Sequence, residues 1–396
     1  MWKTARIALK VAALLGAAPL LAASPTPGVD GPVHALAPDT DKIFVGGNFS
    51  NASDLAASNI AMWDGAMWHA LGAGVNGTVR AIMVADGKVY VGGEFSLAGT
   101  TPVHNLAMWD GSVWSDVGGG IVGPAPVVKA LALDATGLLV GGIFSQVGGS
   151  TPANGLARWT GAAWEVLGGT PPGIEHDMHA IAPLGGTIYV GGILRFPGSP
   201  RPSEATLARA TPFVLSDHAG SANADDECTG CASVDALVSD GTNLFVAGAF
   251  TTLGAVLLAG SPYEVVELAN ATVVVGLGDG STTPSVAAGG VIAALAVSDS
   301  DLYAGGNVDR IRDVVVGHIA RWDGSAWHPL GAGVDAPVHA IAISEGAVYA
   351  GGEFVTADGV PVNRVARWNG TTWFALAGVT TPTKQHSWGR TKAIFR

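Results

Sequence analysis

Residues 42–72 read KIFVGGNFSNASDLAASNIAMWDGAMWHALG: an apolar run closed by two glycines, a polar stretch, then two tryptophans five residues apart around an Asp-Gly pair. The apolar run recurs as IFVGG (Ile43 to Gly47), VYVGG (Val89 to Gly93), LLVGG (Leu138 to Gly142), IYVGG (Ile188 to Gly192), LFVAG (Leu244 to Gly248), LYAGG (Leu302 to Gly306) and VYAGG (Val348 to Gly352). Successive first members of the closing pair lie 46, 49, 50, 56, 58 and 46 residues apart. That period belongs to β-propeller blades rather than to helical solenoids.

Each full repeat divides into four pieces of strand length. In the first these are Val33 to Ala37, Lys42 to Gly47, Asn59 to Gly65 and Met67 to Gly72. They are rich in β-branched and aromatic residues and are separated by Gly, Asp and Ser, the pattern of short antiparallel strands. Between the third and fourth pieces stand Asp64-Gly65, Asp110-Gly111, Thr160-Gly161, Asp323-Gly324 and Asn369-Gly370. Asp-Gly and Asn-Gly favour positive φ, so a two-residue hairpin loop is expected at these pairs.

The tryptophans bracket that hairpin: Trp63/Trp68, Trp109/Trp114, Trp159/Trp164, Trp322/Trp327 and Trp368/Trp373. A lone four-stranded sheet leaves both faces open, and stacking neighbours around an axis supplies the core. The faithful spacing favours blade-to-blade packing of these rings over the competing reading, an aromatic platform for a sugar. Repeats four and five lack the pairs. Leu207 to Thr211 and Pro212 to Leu215 stand in for the last two strands of the fourth, Tyr263 to Asn270 and Ala271 to Gly278 for those of the fifth. The blades are expected at about 33–74, 79–120, 127–169, 178–217, 234–278, 291–333 and 338–378, inside one domain spanning 24–383.

The N-terminus reads differently. Lys3, Arg6 and Lys10 precede an apolar stretch from Val11 to Ala23 that ends in small residues before Ser24-Pro25. This is the layout of a secretory signal peptide, residues 1–23, and it is short for a bilayer span. A secreted, periplasmic or cell-surface location follows as an expectation, with no membrane-spanning segment once the signal is removed. Five N-x-[ST] triplets begin at Asn48, Asn51, Asn76, Asn270 and Asn369; they accept glycans only in a eukaryotic secretory pathway.

Charged residues are 13% of the chain, about half the usual share, as expected where most strands are buried on both faces. The leader carries three basic groups and the tail 384–396 four, leaving 13 basic against 32 acidic side chains in the body. Such a body repels polyanions, which speaks against nucleic acid as a partner. The basic tail is either an interaction arm or a frayed end. Two cysteines occur, Cys228 and Cys231, in the insert between the fourth and fifth blades. In an exported chain they are expected to form a small disulfide, because a lone CxxC lacks the second pair of a Cys-only zinc site and the helical context of a redox motif.

The repeating GGxF (Gly46 to Phe49, Gly92 to Phe95, Gly141 to Phe144, Gly351 to Phe354), followed by A-[MR]-W-x-G-x-x-W, resembles the extracellular propellers grouped with kelch and galactose-oxidase central domains. It is closer to the bacterial repeat proteins and fungal cortical-marker ectodomains that carry GGxF and WxGxxW. The resemblance spans about residues 33–378 and implies an all-β, seven-bladed β-propeller of four-stranded antiparallel blades. It implies little about activity, since propellers host many.

Catalytic signatures are wanting. The copper site of the alcohol-oxidising relatives uses His and Tyr ligands and a tyrosine cross-linked to cysteine. Here Tyr90, Tyr189, Tyr303 and Tyr349 fall in the glycine-pair strands and Tyr263 elsewhere, away from the cysteines, so that activity does not carry over. No HExxH, GxSxG or EF-hand loop occurs, and His176-Asp-Met-His179 is a weak metal signal. No cofactor, metal or hydrolase triad is therefore expected.

One constellation stands out. The second residue of the first strand of each blade is His34, Arg80, Lys129, His179, Asp235, Ala293 and His339. By analogy with kelch-type blades this strand is innermost and its start opens on one mouth of the central channel. His339, His34, Arg80, Lys129 and His179 then form a contiguous arc of cationic and imidazole groups on an acidic body, a candidate site for an anion. The competing reading is a ring of solvated strand ends. The chain thus reads as an exported or cell-surface binding or scaffold module, its partner an extracellular protein, a glycan or a small anion. The alternative is an extracellular carbohydrate-active enzyme with its site at the same mouth.

Overall fold

In the computed structural model, which describes residues 27–167, 177–194, 204–211, 214–216, 233–249, 275–277, 288–298, 301–311 and 314–377, every regular element is a strand. The first sheet joins Val33–Asp39, Lys42–Gly47, Ile60–Trp63 and Trp68–Ala70, in that spatial order and all antiparallel. Its middle strands carry apolar residues on both faces, and all of Ile60–Trp63 is buried. This is why the sequence shows apolar runs there instead of clean alternation.

The same order repeats. The second sheet is built from Thr78–Ala85, Lys88–Glu94, Leu106–Trp109 and Trp114–Asp116, and the third from Val127–Asp134, Gly137–Ile143, Leu156–Trp159 and Trp164–Val166. The fourth joins Asp177–Leu184, Thr187–Leu194, Glu204–Thr211 and Val214–Ser216, so the strand pattern survives there without tryptophans. The fifth shows Ser233–Ser239, Leu244–Ala249 and Val275–Leu277. The sixth contains Ala288–Ser298, Asp301–Ile311, Ile319–Trp322 and Trp327–Pro329, and the seventh Val338–Ser344, Ala347–Gly352, Val365–Trp368 and Trp373–Ala375. The first strands neighbour one another in chain order, and Val338–Ser344 lies beside Val33–Asp39, which closes a ring. These sheets are the blades of a propeller, with the first strand innermost and the glycine-pair strand next to it.

Two details differ from the sequence reading. Val275–Leu277 pairs directly with Leu244–Ala249, so it occupies the third-strand place for which Tyr263 to Asn270 was expected. Repeat five has no tryptophan pair, but Asp279-Gly280 follows Val275–Leu277 in the sequence much as Asp64-Gly65 follows Ile60–Trp63. The hairpin loops also sit one residue later than expected. Trp63 faces Trp68 and the amide of Asp64 donates to the carbonyl of Met67, so the central residues are Gly65-Ala66. Gly65, at φ 89°, holds the first central position, and the Asp64 carboxylate accepts the amides of Ala66 and Met67. The aspartate is therefore the turn's clamp rather than its bend.

The tryptophan pairs join blades. Trp63 and Trp68 sit with ring centroids 5.3 Å apart, and the other four pairs lie between 5.2 and 5.7 Å, all tilted. In blades two, three and seven the second indole of the pair donates to a carbonyl at the exit of the preceding blade: Trp114 Nε1 to Leu71, Trp164 to Gly118 and Trp373 to Leu330, each at 2.8 Å. Trp68 Nε1 makes the same bond to Leu376 at 3.0 Å, across the junction of the last blade with the first.

The glycine pairs serve the same purpose from the inner side. A Cβ on Gly46 would overlap Val79 of the next blade, one on Gly92 would overlap Val128, and one on Gly351 would overlap Val33. Cys228, Cys231, the leader 1–23 and the tail 384–396 lie outside the described residues. Among the described residues no helix is long and apolar enough to cross a membrane.

Truncation of Trp109 or Trp322, 6% and 8% exposed, to Ala is expected to cost about 3–5 kcal/mol in thermal or denaturant unfolding. A change within about 0.5 kcal/mol, the range of ordinary surface substitutions, would instead restore the platform reading. Gly92→Ala is expected to cost about 1–3 kcal/mol by overpacking. Combined with Val128→Ala on the facing blade it should cost less than the two single changes added together, because the second change empties the space the first one fills.

Candidate functional site

All seven inner strands carry the same β-bulge opposite the glycine pair. Val33 faces Gly47 while Ala35 faces Gly46, which leaves His34 as the extra residue. The register shifts identically around Arg80, Lys129, His179, Asp235, Ala293 and His339. A bulge re-aims the side chain of the extra residue and leaves it outside the ladder. The second glycine of each pair lies opposite: a Cβ on Gly47 would overlap the Pro32 carbonyl, and one on Gly93 the Thr78 carbonyl. The same Gly-Gly that marks the repeat thus makes room for the bulge that presents the candidate residue.

The structure brings the five named residues together as two groups. On blades seven, one and two, the imidazoles of His34 and His339 lie 5.5 Å apart between centroids, tilted by 38°. His339 Nε2 is 3.2 Å from Glu353, and Arg80 meets Glu94 at 2.9 Å. On blades three to five, Lys129 Nζ lies 2.7 Å from Asp177 and 3.2 Å from His179 Nε2. His179 bridges Asp177 at 3.2 Å and Asp235 at 2.8 Å. Blade six contributes only Ala293.

Glu94, Glu353 and Asp177 are absent from the sequence reading of the site, and they change it. Arg80, Lys129 and a protonated His179 face four carboxylates, Glu94, Asp177, Asp235 and Glu353, so the arc is charge-compensated rather than a bare cationic field. A signal for two of them was present: among the glycine pairs only those of blades two and seven are followed by Glu, in GGEF. Among the described residues no group of three or more His, Cys, Asp and Glu is placed to hold a metal.

The histidines differ in electrostatics. Burial and the adjacent Lys129 disfavour the His179 imidazolium, but hydrogen bonds to Asp177 and Asp235 outweigh them and push its pKa up to about 9. For His34, burial, then the charges of Arg80 and His339, overcome the attraction of Glu353 and Glu94 and push the pKa down to about 4. Burial alone would raise Asp177; hydrogen bonds from His179 and Lys129 hold it below the usual carboxylate range. At neutral pH His179 is a cation and His34 a neutral ring.

No family model matches the chain, and no curated protein does. Similar solved structures include the computationally designed Ika8 protein, 16% identical, covering 87% of this chain and 99% of that one with a TM-score of 0.45. The WD40 β-propeller domain of Doa1 is 9% identical, covering 83% and 92% at a TM-score of 0.49. The β-propeller domain of the Trilobed protease from Pyrococcus furiosus is 9% identical, covering 89% and 96% at 0.42. The propeller assignment rests on the strand pairing and the closed ring, not on these likenesses.

The pKa shifts set a pH window for stability. His179, raised above its unfolded value near 6.5, contributes stability that is full below that value and is lost as pH rises through about 9. His34, held neutral by the fold, contributes the reverse: stability present above about 6.5 is lost as pH falls toward about 4. Histidine-resolved NMR titration is expected to show His34 neutral down to about pH 4 and His179 protonated up to about pH 9. In melts, His34→Gln should flatten the acid limb and leave the alkaline limb in place.

Proposed function

We propose that the protein is an exported or cell-surface binding or scaffold module that holds a polar ligand at the bulge-lined mouth of its central channel. One observation carries this reading: seven inner strands use the same bulge to present a side chain at the same end of the ring, and six of the seven are polar. Pre-formed groups on a rigid frame are what binding sites require. With cations and carboxylates interleaved, the mouth suits a ligand that both donates and accepts hydrogen bonds, such as a glycan or a protein loop. A simple anion has to displace an existing carboxylate partner.

Four carboxylates at the mouth favour a second reading, a carbohydrate-active enzyme. Glycoside cleavage needs a carboxyl whose pKa is raised so that it can donate a proton. Asp177, the carboxylate tied to both Lys129 and His179, is shifted the opposite way, which supports binding over cleavage.

A screen of glycans and small anions on the mature protein, followed by Arg80→Ala with Lys129→Ala, tests the proposal. Loss of binding is expected in that double variant and not in Lys384→Ala with Arg390→Ala, which removes two charges from the tail. Equal behaviour of the two variants would return the arc to solvated strand ends. Release of sugar by the intact protein would favour the enzyme.

A further inference from the structure

Between blades one and two the chain passes through Leu71-Gly72-Ala73-Gly74-Val75-Asn76-Gly77, and between blades six and seven through Leu330-Gly331-Ala332-Gly333-Val334-Asp335-Ala336. These linkers share one set of bonds. The amide of Gly74 donates to Leu71 at 3.0 Å and that of Gly333 to Leu330 at 3.1 Å. The Val75 amide donates to Ser58 and the Val334 amide to Gly317, at 3.1 and 2.9 Å. Next along the chain, the Asn76 amide donates to Leu97 at 3.1 Å and the Asp335 amide to Thr356 at 3.2 Å. Asn76 Oδ1 accepts the amides of Ser96 and Leu97, and Asp335 Oδ1 those of Val355 and Thr356.

At the junction of blade seven with blade one no continuous chain does this. The same bonds form between two remote segments, Leu376 from one end and Gly28-Val29-Asp30-Gly31 from the other. Gly28 donates to Leu376 at 3.0 Å, Val29 to Asn363 at 3.1 Å and Asp30 to Asn51 at 3.1 Å. Asp30 Oδ1 accepts the amides of Ser50 and Asn51 at 2.8 and 2.9 Å. Gly28, at φ 74°, matches Gly74 at 72° and Gly333 at 79°, and Val29 is 2% exposed, like Val75. Each blade takes all its described strands from one contiguous stretch, so no strand is exchanged to close the ring. Besides contacts between neighbouring blades such as the Trp68 bond, closure rests on this reconstituted linker. A cavity of about 220 Å³ runs beside it, bordered among others by Pro27, Val29, Asp30, Val355 and Arg364.

We propose that the seam is a peptide-recognition groove. It reads an extended segment of the form Gly-Val-Asp-Gly, is filled by this chain's own residues 28–31, and accepts the same segment from a second copy when its own is withdrawn. The specificity follows from the geometry. A Cβ at position 28 would overlap the Asn363 carbonyl, the valine is enclosed, and the acidic or amide side chain after it caps two backbone amides. Because the segment is tethered, it competes at an effective concentration on the order of mM, so exchange needs a weakened latch or a high protein concentration.

The test uses the full chain carrying Val29→Asp and Asp30→Ala, together with a synthetic octapeptide of residues 25–32. The variant is expected to melt below the wild type, and the octapeptide to bind it saturably and raise its midpoint. An octapeptide with Asp30→Ala should bind at least about tenfold more weakly, the ratio expected for about 1.4 kcal/mol. A variant that melts like the wild type, or one whose midpoint and binding signal ignore the octapeptide, overturns the proposal. Should the variant fail to fold, hydrogen exchange on the wild type decides. The Val29 and Asp30 amides should exchange at least about tenfold faster than those of Val75 and Asn76, whose identical bonds lie in a continuous linker. Equal protection overturns the groove as an exchangeable site.

Discussion

The contact on which the molecule depends is the seating of a branched side chain from one blade on the bare backbone of its neighbour. Val79 lies over Gly46, Val128 over Gly92, Val234 over Gly191, Val338 over Gly305 and Val33 over Gly351. A residue of any size at those glycines would push adjacent blades apart where the inner strands crowd together. The next glycine in each pair clears the carbonyl that the bulge turns outward. One dipeptide therefore fixes the spacing of the blades and the exit direction of the residue at the mouth. In blades one, two, three and seven the second tryptophan of the hairpin, bonded to the preceding blade, fixes the outer side of the same joint.

This coupling explains how much could be read from the sequence. Glycine pairs and tryptophan pairs are local in the chain and repeat with a period, so the blades and their strand order were legible. The partners of the bulged residues were not. Glu94 ends the next strand of its blade, Glu353 directly follows the next strand of its own, and Asp177 reaches Lys129 of another blade; such pairings belong to the tertiary structure. The outer part of blade five was misread for a related reason. The tryptophan pair is missing there, and the remaining local mark of the third strand is the Asp279-Gly280 pair that follows it in the sequence.

Charge among the bulged residues is divided rather than uniform. Blades three to five hold a half-buried cation, His179, between two carboxylates and beside Lys129, which ties three blades together by ion pairs. Blades seven, one and two instead hold a neutral ring, His34, against His339, with their ion pairs more exposed to solvent. Breaking a half-buried network is expensive because it leaves charges unpaired in a poor solvent, whereas exposed pairs exchange readily with water or ligand. The imidazole side is thus the part of the mouth free to adapt, and the aspartate side is the part that holds its shape.

Closure follows the same economy of parts. A propeller that shares a strand between its ends makes the last blade a composite; here the blades stay whole and the composite element is a linker. The bonds at Gly28, Val29 and Asp30 match those at Gly74, Val75 and Asn76 in partner type and within about a tenth of an ångström in length. What differs is connectivity: Leu71 and Gly74 are joined through the chain three residues apart, while Leu376 and Gly28 meet from remote positions, so ordering their contact costs more loop-closure entropy. The seam is then the joint at which equal contacts give least resistance to opening, and opening would separate blade seven from blade one beside the adaptable His34 and His339. A ligand that bridges those two rings across the mouth would stabilise the closed ring, linking the occupancy of the mouth to the state of the latch.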